Sequence, residues 1–270
     1  GLRGVDLPDY RSRVALRSAQ RRRVPSGGDP RTLRGMEWFA RDFDHPLYFR
    51  IYRSKEAEAA EEGPALVRAL GQAPGARVLD LPCGWGRLRP HLEAAGWQVV
   101  GGDLSPLNLR RHAETHPESL VRLDLRALPF RSHCADGILC AYTSWGYFAS
   151  DAENLRQLQE CARVLTPGGV LVLDLTGRAA LEAAAAPLEG RWFEAEGYRE
   201  RVRWSPDRRR IWTDRILEGV RFRHDIWIPT HEEVLAFAEG AGLGLEEAWG
   251  GLHQEPFSPD AERWLFRFRC

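Results

Sequence analysis

Residues 80–87 read Asp-Leu-Pro-Cys-Gly-Trp-Gly-Arg, and they follow a short apolar run at 77–81. Gly84 and Gly86 let the backbone approach a ligand closely and adopt φ values closed to other residues. Asp80 stands four residues before the first glycine, at the expected end of a strand. Two phosphate-binding alternatives fail on residue type. A dinucleotide loop needs a third glycine where Arg89 stands, and a Walker loop needs a Gly-Lys-Ser/Thr ending that is absent. A carboxylate beside a pyrophosphate would meet like charge in a partly buried site. Asp80 instead suits a ligand with an ammonium group and no phosphate. It also lies too far ahead of the helix expected at 88–95 to act as its cap.

The elements that must hold this loop follow from the hydrophobic pattern. Apolar runs at 77–81, 98–102, 120–123, 137–142 and 170–175 read as buried strands. Amphipathic stretches at 55–70, 88–95 and 107–116 read as helices, and Ser150 to Glu153 is a capping box opening another that ends near 165. Buried strands alternating with helices predict a doubly wound, mostly parallel α/β sheet with its ligand beyond the carboxyl ends of the strands. Residues 190–228 break the rhythm. Runs at 199–204, 211–217 and 222–228 without intervening helices predict an antiparallel β insertion after the fifth strand. A second capping box, Thr230 to Glu233, opens a helix to about 241, and 243–249 and 264–269 supply the last two strands.

With the elements in order, the motifs resemble those of class I S-adenosylmethionine-dependent methyltransferases. The loop at 80–87 is similar to the family's DxxCGxGR motif. Residues 99–105, 123–130, 136–148 and 163–169 (VVGGDLS, LDLRALPF, DGILCAYTSWGYF and RVLTPGG) resemble its later motifs. The sequence TSWGYF at 143–148 resembles the TSFGYF of the small-molecule branch, with Trp145 in place of phenylalanine. The resemblance spans roughly 36–270. It implies a seven-stranded sheet, S-adenosylmethionine as cofactor, and methyl transfer to a small-molecule acceptor by in-line displacement. It further implies cofactor contacts from Tyr52, Asp80, Pro82, Cys83, Gly84, Gly86, Asp103, Leu104, Asp124, Leu125 and Tyr142. Asp103 would grip the ribose hydroxyls, Asp124 would receive the adenine amino group, and the backbone N–H of Leu125 would meet the ring. A helical lid at 36–70 and the insertion at 190–228 would cover the acceptor. Tyr48, Tyr52, Trp145, Tyr147, Trp192 and Trp227 are expected to converge there. Tyr147 and His224 are the candidate catalytic side chains, and no general base stands out.

Composition narrows the partners. The formal net charge is zero over 270 residues, so no global field recruits a polyanion or an anionic membrane. No apolar run reaches the ~20 residues of a spanning helix. Five irregularly spaced cysteines without a CxxC pair fit neither a zinc site nor a disulfide framework, and no metal is expected. A reducing, cytoplasmic setting follows as the expectation. Residues 1–35 are arginine-rich and read as a flexible extension. A non-catalytic cofactor-binding protein and a nucleic-acid methyltransferase are the competing readings. The arm lacks interleaved aromatics, and no NPPY-like segment follows strand four.

Overall fold

The computed structural model describes residues 37–195 and 197–270. The arginine-rich segment at 1–35 therefore lies outside the described residues. Two short helices come first, α1 (Trp38–Asp42) and α2 (Tyr48–Ile51). Then follow α3 (Lys55–Leu70), β1 (Arg77–Asp80), α4 (Arg89–Ala94), β2 (Gln98–Asp103), α5 (Pro106–Ala113), β3 (Leu120–Arg122), β4 (Ala135–Cys140), α6 (Asp151–Val164) and β5 (Leu165–Thr176). After α7 (Arg178–Ala185) come four strands, β6 (Trp192–Ala195), β7 (Tyr198–Trp204), β8 (Arg210–Leu217) and β9 (Val220–Trp227). The chain closes with α8 (His231–Gly240), β10 (Gly244–Trp249) and β11 (Arg263–Arg269).

Seven strands form one sheet in the order β10-β11-β5-β4-β1-β2-β3, with β11 antiparallel to both neighbours and the other pairings parallel. The apolar runs are continuous because alternate residues serve two opposite layers. Val78, Leu139, Val170 and Leu265 pack with Leu66 and Leu70 of α3 and Leu92 of α4. Their neighbours Leu79, Ile138, Leu171 and Trp264 pack with Leu158 and Val164 of α6 and Val234 of α8. Both capping boxes form, Ser150 with Glu153 and Thr230 with Glu233. The Thr166–Gly169 turn is absorbed into β5, whose register with β4 shifts between Ala135 and Gly137.

Two expectations change. Of the segment 36–70 expected to form a lid, the end of α3 belongs to the core, with Leu66, Ala69 and Leu70 completely buried against the sheet. Each such leucine contributes roughly 1.5–3 kcal/mol by leaving water, which ties α3 to the core. The insertion has four antiparallel strands rather than three. β6 escapes the sequence pattern because it is only four residues long and sits at the sheet's edge.

Candidate functional site

The order of the large sheet reverses at β1, which lies between β2 and β4. A crevice opens beyond the carboxyl ends of the strands at such a point. Here it is a cavity of about 1150 Å³ reaching from the 80–87 loop to the inner face of β6–β9. Of the expected site residues, Tyr52, Asp80, Pro82, Cys83, Gly84, Asp103, Leu104, Asp124, Leu125, Tyr142, Tyr147 and His224 all line it. Gly86 does not. It has φ +84°, and a Cβ there would lie 2.3 Å from the His112 ring, so glycine is required for packing against α5. Gly84, with φ +55°, faces open space, where a side chain would project unopposed.

Asp80 is the most unusual group of the site. It is 1% exposed, and neither carboxylate oxygen has a hydrogen-bond partner. Burial raises its pKa to about 7, with Arg87 pulling down against it and Asp103 pushing it further up. A buried carboxylate without a donor is costly and calls for a cationic partner. Asp103 is already partly engaged. It accepts the backbone N–H of Gly84 at 2.9 Å and of Ser105 at 2.8 Å, yet burial still raises its pKa. It thereby splints the glycine loop to the end of β2.

Asp124 is tied to a neighbouring arginine. Burial alone would raise its pKa, but the Arg126 backbone and guanidinium outweigh it at 2.7–3.0 Å and hold the carboxyl low. Arg126 also binds Glu37 and Glu153. The Asp124 carboxylate lines the cavity, with Oδ1 accepting two of the Arg126 bonds and Oδ2 one.

Tyr142 and Thr143 both have positive φ, 59° and 51°, directly after β4. Each such residue costs of order 1–3 kcal/mol and persists where its surroundings over-determine it. Asp174 of β5 does so, its side chain accepting the Tyr142 N–H and its carbonyl the Thr143 N–H, each at 2.8 Å. Arg263 holds Asp174 through two 2.6 Å bonds and reaches Glu62 of α3 at 2.8 Å, and Glu62 binds Arg87 of the loop. This buried ionic chain links the loop after β1 to the bend after β4. Its members come from four separate segments, so no local motif announces it.

The far half of the cavity is made by α1, α2 and the small sheet. β7–β9 present Tyr198, Glu200, Val202, Ile211, Thr213, Arg215, His224 and Ile226 inward. The alternate residues face outward, where Arg201 and Arg203 both bind Asp214 at 2.9 Å. Trp192 is on that outer side under Arg199 and Arg201 and does not line the cavity. Trp145 and Trp227 also miss it, packing together and with Phe237 in the core. Of the six aromatics expected to converge, Tyr48, Tyr52 and Tyr147 do.

The link between α1 and α2 is fastened on two sides, to β9 and to the start of α5. The Arg223 N–H donates to Asp42 at 2.7 Å, while Asp44 accepts from Ser105 and from the Leu107 N–H at 2.9 and 2.8 Å. His224 is 3% exposed and surrounded by Trp38, Phe43, Tyr48 and Tyr52, with ring centroids 4.8–6.4 Å away. Burial, reinforced by Arg215, pushes its pKa well below the usual range, so the ring is neutral. Burial raises the Tyr147 hydroxyl well above its usual range, which removes it as a base near neutrality. The Cys83 and Cys140 thiols are likewise raised by burial and are not nucleophiles. Arg215 and Glu200 are charged cavity-lining side chains that motif reading missed. Their signal was the strand alternation that also carries His224.

Comparison with known proteins agrees with this geometry. Residues 79–173 match the family model described as "Methyltransferase domain". The fold is shared with the CcbJ methyltransferase of Streptomyces caelestis, TM-score 0.70 at 18% identity over 86% of this chain and 98% of that one. An S-adenosylmethionine-dependent methyltransferase from Clostridium acetobutylicum gives TM-score 0.69 at 16% identity, covering 83% and 96%. Residues 79–173 therefore resemble a methyltransferase domain, on a fold shared with these methyltransferases. A ubiquinone biosynthesis O-methyltransferase of Xanthomonas campestris pv. campestris is 36% identical over 39% of this chain and 45% of its own. One from Xanthomonas axonopodis pv. citri is 29% identical over 70% and 71%. The chain thus spans about half the length of the first of these relatives. The matched segment 79–173 contains Asp80, Gly84, Asp103, Asp124 and Tyr142, and ends before the small sheet that completes the cavity. Among the described residues no helix is long and apolar enough to cross a membrane, and no cluster of potential metal ligands occurs.

Proposed function

We propose that the protein transfers a methyl group from S-adenosylmethionine to a small-molecule acceptor enclosed between the 80–87 loop and the small sheet. The observation that carries this reading is the Asp80 carboxylate, buried and without a donor at the carboxyl end of β1. It suits the ammonium group of the cofactor's amino-acid end. The open space at Gly84 admits the chain of the ligand past the backbone, and Asp103 retains acceptor capacity for ribose hydroxyls. When bound, the cofactor supplies a sulfonium-activated methyl group.

The protein's own residues orient and enclose. Tyr142, held in its strained bend by Asp174, stands at the crevice between the two halves of the cavity. The lid aromatics and the apolar side chains of β7–β9 exclude water from the transfer, and alignment of this kind is worth up to about 7–11 kcal/mol in favourable systems. The O-methyltransferase names of the curated relatives support a small acceptor, and the enclosed cavity fits one better than a nucleic acid. Five free thiols suit a reducing, cytoplasmic setting.

Calorimetry with S-adenosylmethionine tests the cofactor half. Asp103→Ala should weaken binding about tenfold to a hundredfold, because a carboxylate hydrogen bond is worth roughly 1.5–3 kcal/mol and each 1.4 kcal/mol is one decade. Unchanged affinity with the fold intact would remove Asp103 from the site. Incubation with methyl-labelled cofactor and a metabolite extract then identifies the acceptor from its labelled product.

A further inference from the structure

The acceptor half of the cavity holds one buried polar group whose protonation is dictated by a neighbour. An Arg215 terminal N–H lies 3.0 Å from Nδ1 of His224. A guanidinium has only donors, so Nδ1 must be the acceptor of this bond. A neutral imidazole with its lone pair at Nδ1 carries its proton on Nε2. Arg215 is itself fixed. It is ion-paired with Glu200 across β7 and β8, and it donates to the Tyr52 hydroxyl at 3.1 Å. The His224 Nε2 atom is buried and has no hydrogen-bond partner, although the residue lines the cavity.

We infer that His224 is an N–H donor that recognises the acceptor molecule through an oxygen lone pair, and is not the base that deprotonates it. The inference rests on the enclosed-acceptor reading above and specifies its chemistry. An unpaired N–H enclosed by aromatic rings discriminates strongly, because a ligand without an oxygen leaves it unsatisfied. The surroundings define the rest of the molecule. Phe43, Tyr48, Val202, Ile211 and Ile226 offer apolar and ring-stacking surface. The acceptor class is therefore a compact, largely apolar or aromatic molecule bearing a carbonyl, ether or hydroxyl oxygen. His224 acts as a specificity-determining group, with Arg215 as the residue that positions its proton.

The first test uses the whole protein labelled with ¹⁵N-histidine. A long-range ¹H–¹⁵N correlation spectrum, with the His224 signals assigned by their loss in His224→Gln, should show the proton on Nε2. A proton on Nδ1, or a protonated ring near neutral pH, overturns the inference. The second test compares acetophenone with ethylbenzene, which match in shape except for the carbonyl. Acetophenone should shift the Nε2 signal and bind about tenfold more tightly, a preference removed by His224→Leu and retained by His224→Gln, whose amide still donates. No difference between the two probes, whether both bind or neither does, overturns it. S-adenosylmethionine calorimetry on the same samples keeps the cofactor reading separate. Failed cofactor binding with an intact Nε2–H tautomer and probe preference would strike the proposed function alone.

Discussion

The two halves of the cavity are built differently. The half at the 80–87 loop hangs on the ends of β1, β2 and β4, and its glycine loop is held by hydrogen bonds within one turn of the chain or between adjacent strands. Asp103 reaches the N–H groups of Ser105 and Gly84, and Gly84 and Gly86 take their positive φ values inside one loop. The far half joins α1 and α2 to a separate antiparallel sheet. Its central group, Arg215, bridges Glu200, His224 and Tyr52, residues 15, 9 and 163 positions away. Under the proposed function the first half grips one fixed ligand, so backbone geometry can do most of the holding. The second is a pocket whose identity lies in side chains on a two-faced sheet, where one substitution alters the chemistry without disturbing the main sheet.

That contrast can be broken at several levels. The largest effect is expected from replacing residues 192–225 by a short turn. This retains Trp227, which packs with Trp145 and Phe237 in the main core. Methyl transfer should vanish while S-adenosylmethionine affinity by calorimetry stays within about threefold, under ~0.7 kcal/mol. Transfer at the native rate would show that the acceptor does not lie beneath the small sheet.

Next in size are the two glycines, which should fail in different ways. Gly84→Val places a branched side chain at φ +55° and in the open space of the cavity. Cofactor affinity should fall by at least about a hundredfold, since left-handed backbone costs roughly 1–2 kcal/mol before ligand space is lost. Gly86→Ala should instead lower the melting temperature, because its Cβ would collide with His112, and His112→Ala should recover part of the loss. Equal effects of both on cofactor binding with no loss of stability would erase the distinction between a ligand-facing and a packing glycine.

The smallest effect is a pH dependence at Asp80. Its pKa is raised to about 7 by burial, above that of an exposed carboxylate. The folded chain therefore binds more protons there than the unfolded chain between about pH 4 and 7, and unfolding free energy falls as pH rises through that window. A cationic ligand prefers the ionised form. S-adenosylmethionine affinity should rise about tenfold between pH 6 and pH 8, and Asp80→Asn should abolish that slope. A slope that persists in Asp80→Asn would place the titrating group elsewhere.

The sequence by itself determined the main sheet and the position of the loop. Continuous apolar strands, capping residues at Ser150 and Thr230, and glycines at a strand end are local signals, and local rules interpret them. It also placed Asp80 and Asp103 correctly at the ends of β1 and β2. It could not separate Gly84 from Gly86, because only the approach of α5 makes one a packing residue. It could not show that Arg126 occupies Asp124, that α3 belongs to the core, or that Trp145, Trp192 and Trp227 point away from the cavity. Nor could it show the Asp174–Arg263–Glu62–Arg87 chain or the tautomer of His224. Those depend on side chains brought together from distant segments by sheet order and strand register, where hydrogen-bond distances of 2.6–3.0 Å decide the chemistry and sequence spacing carries no information about them.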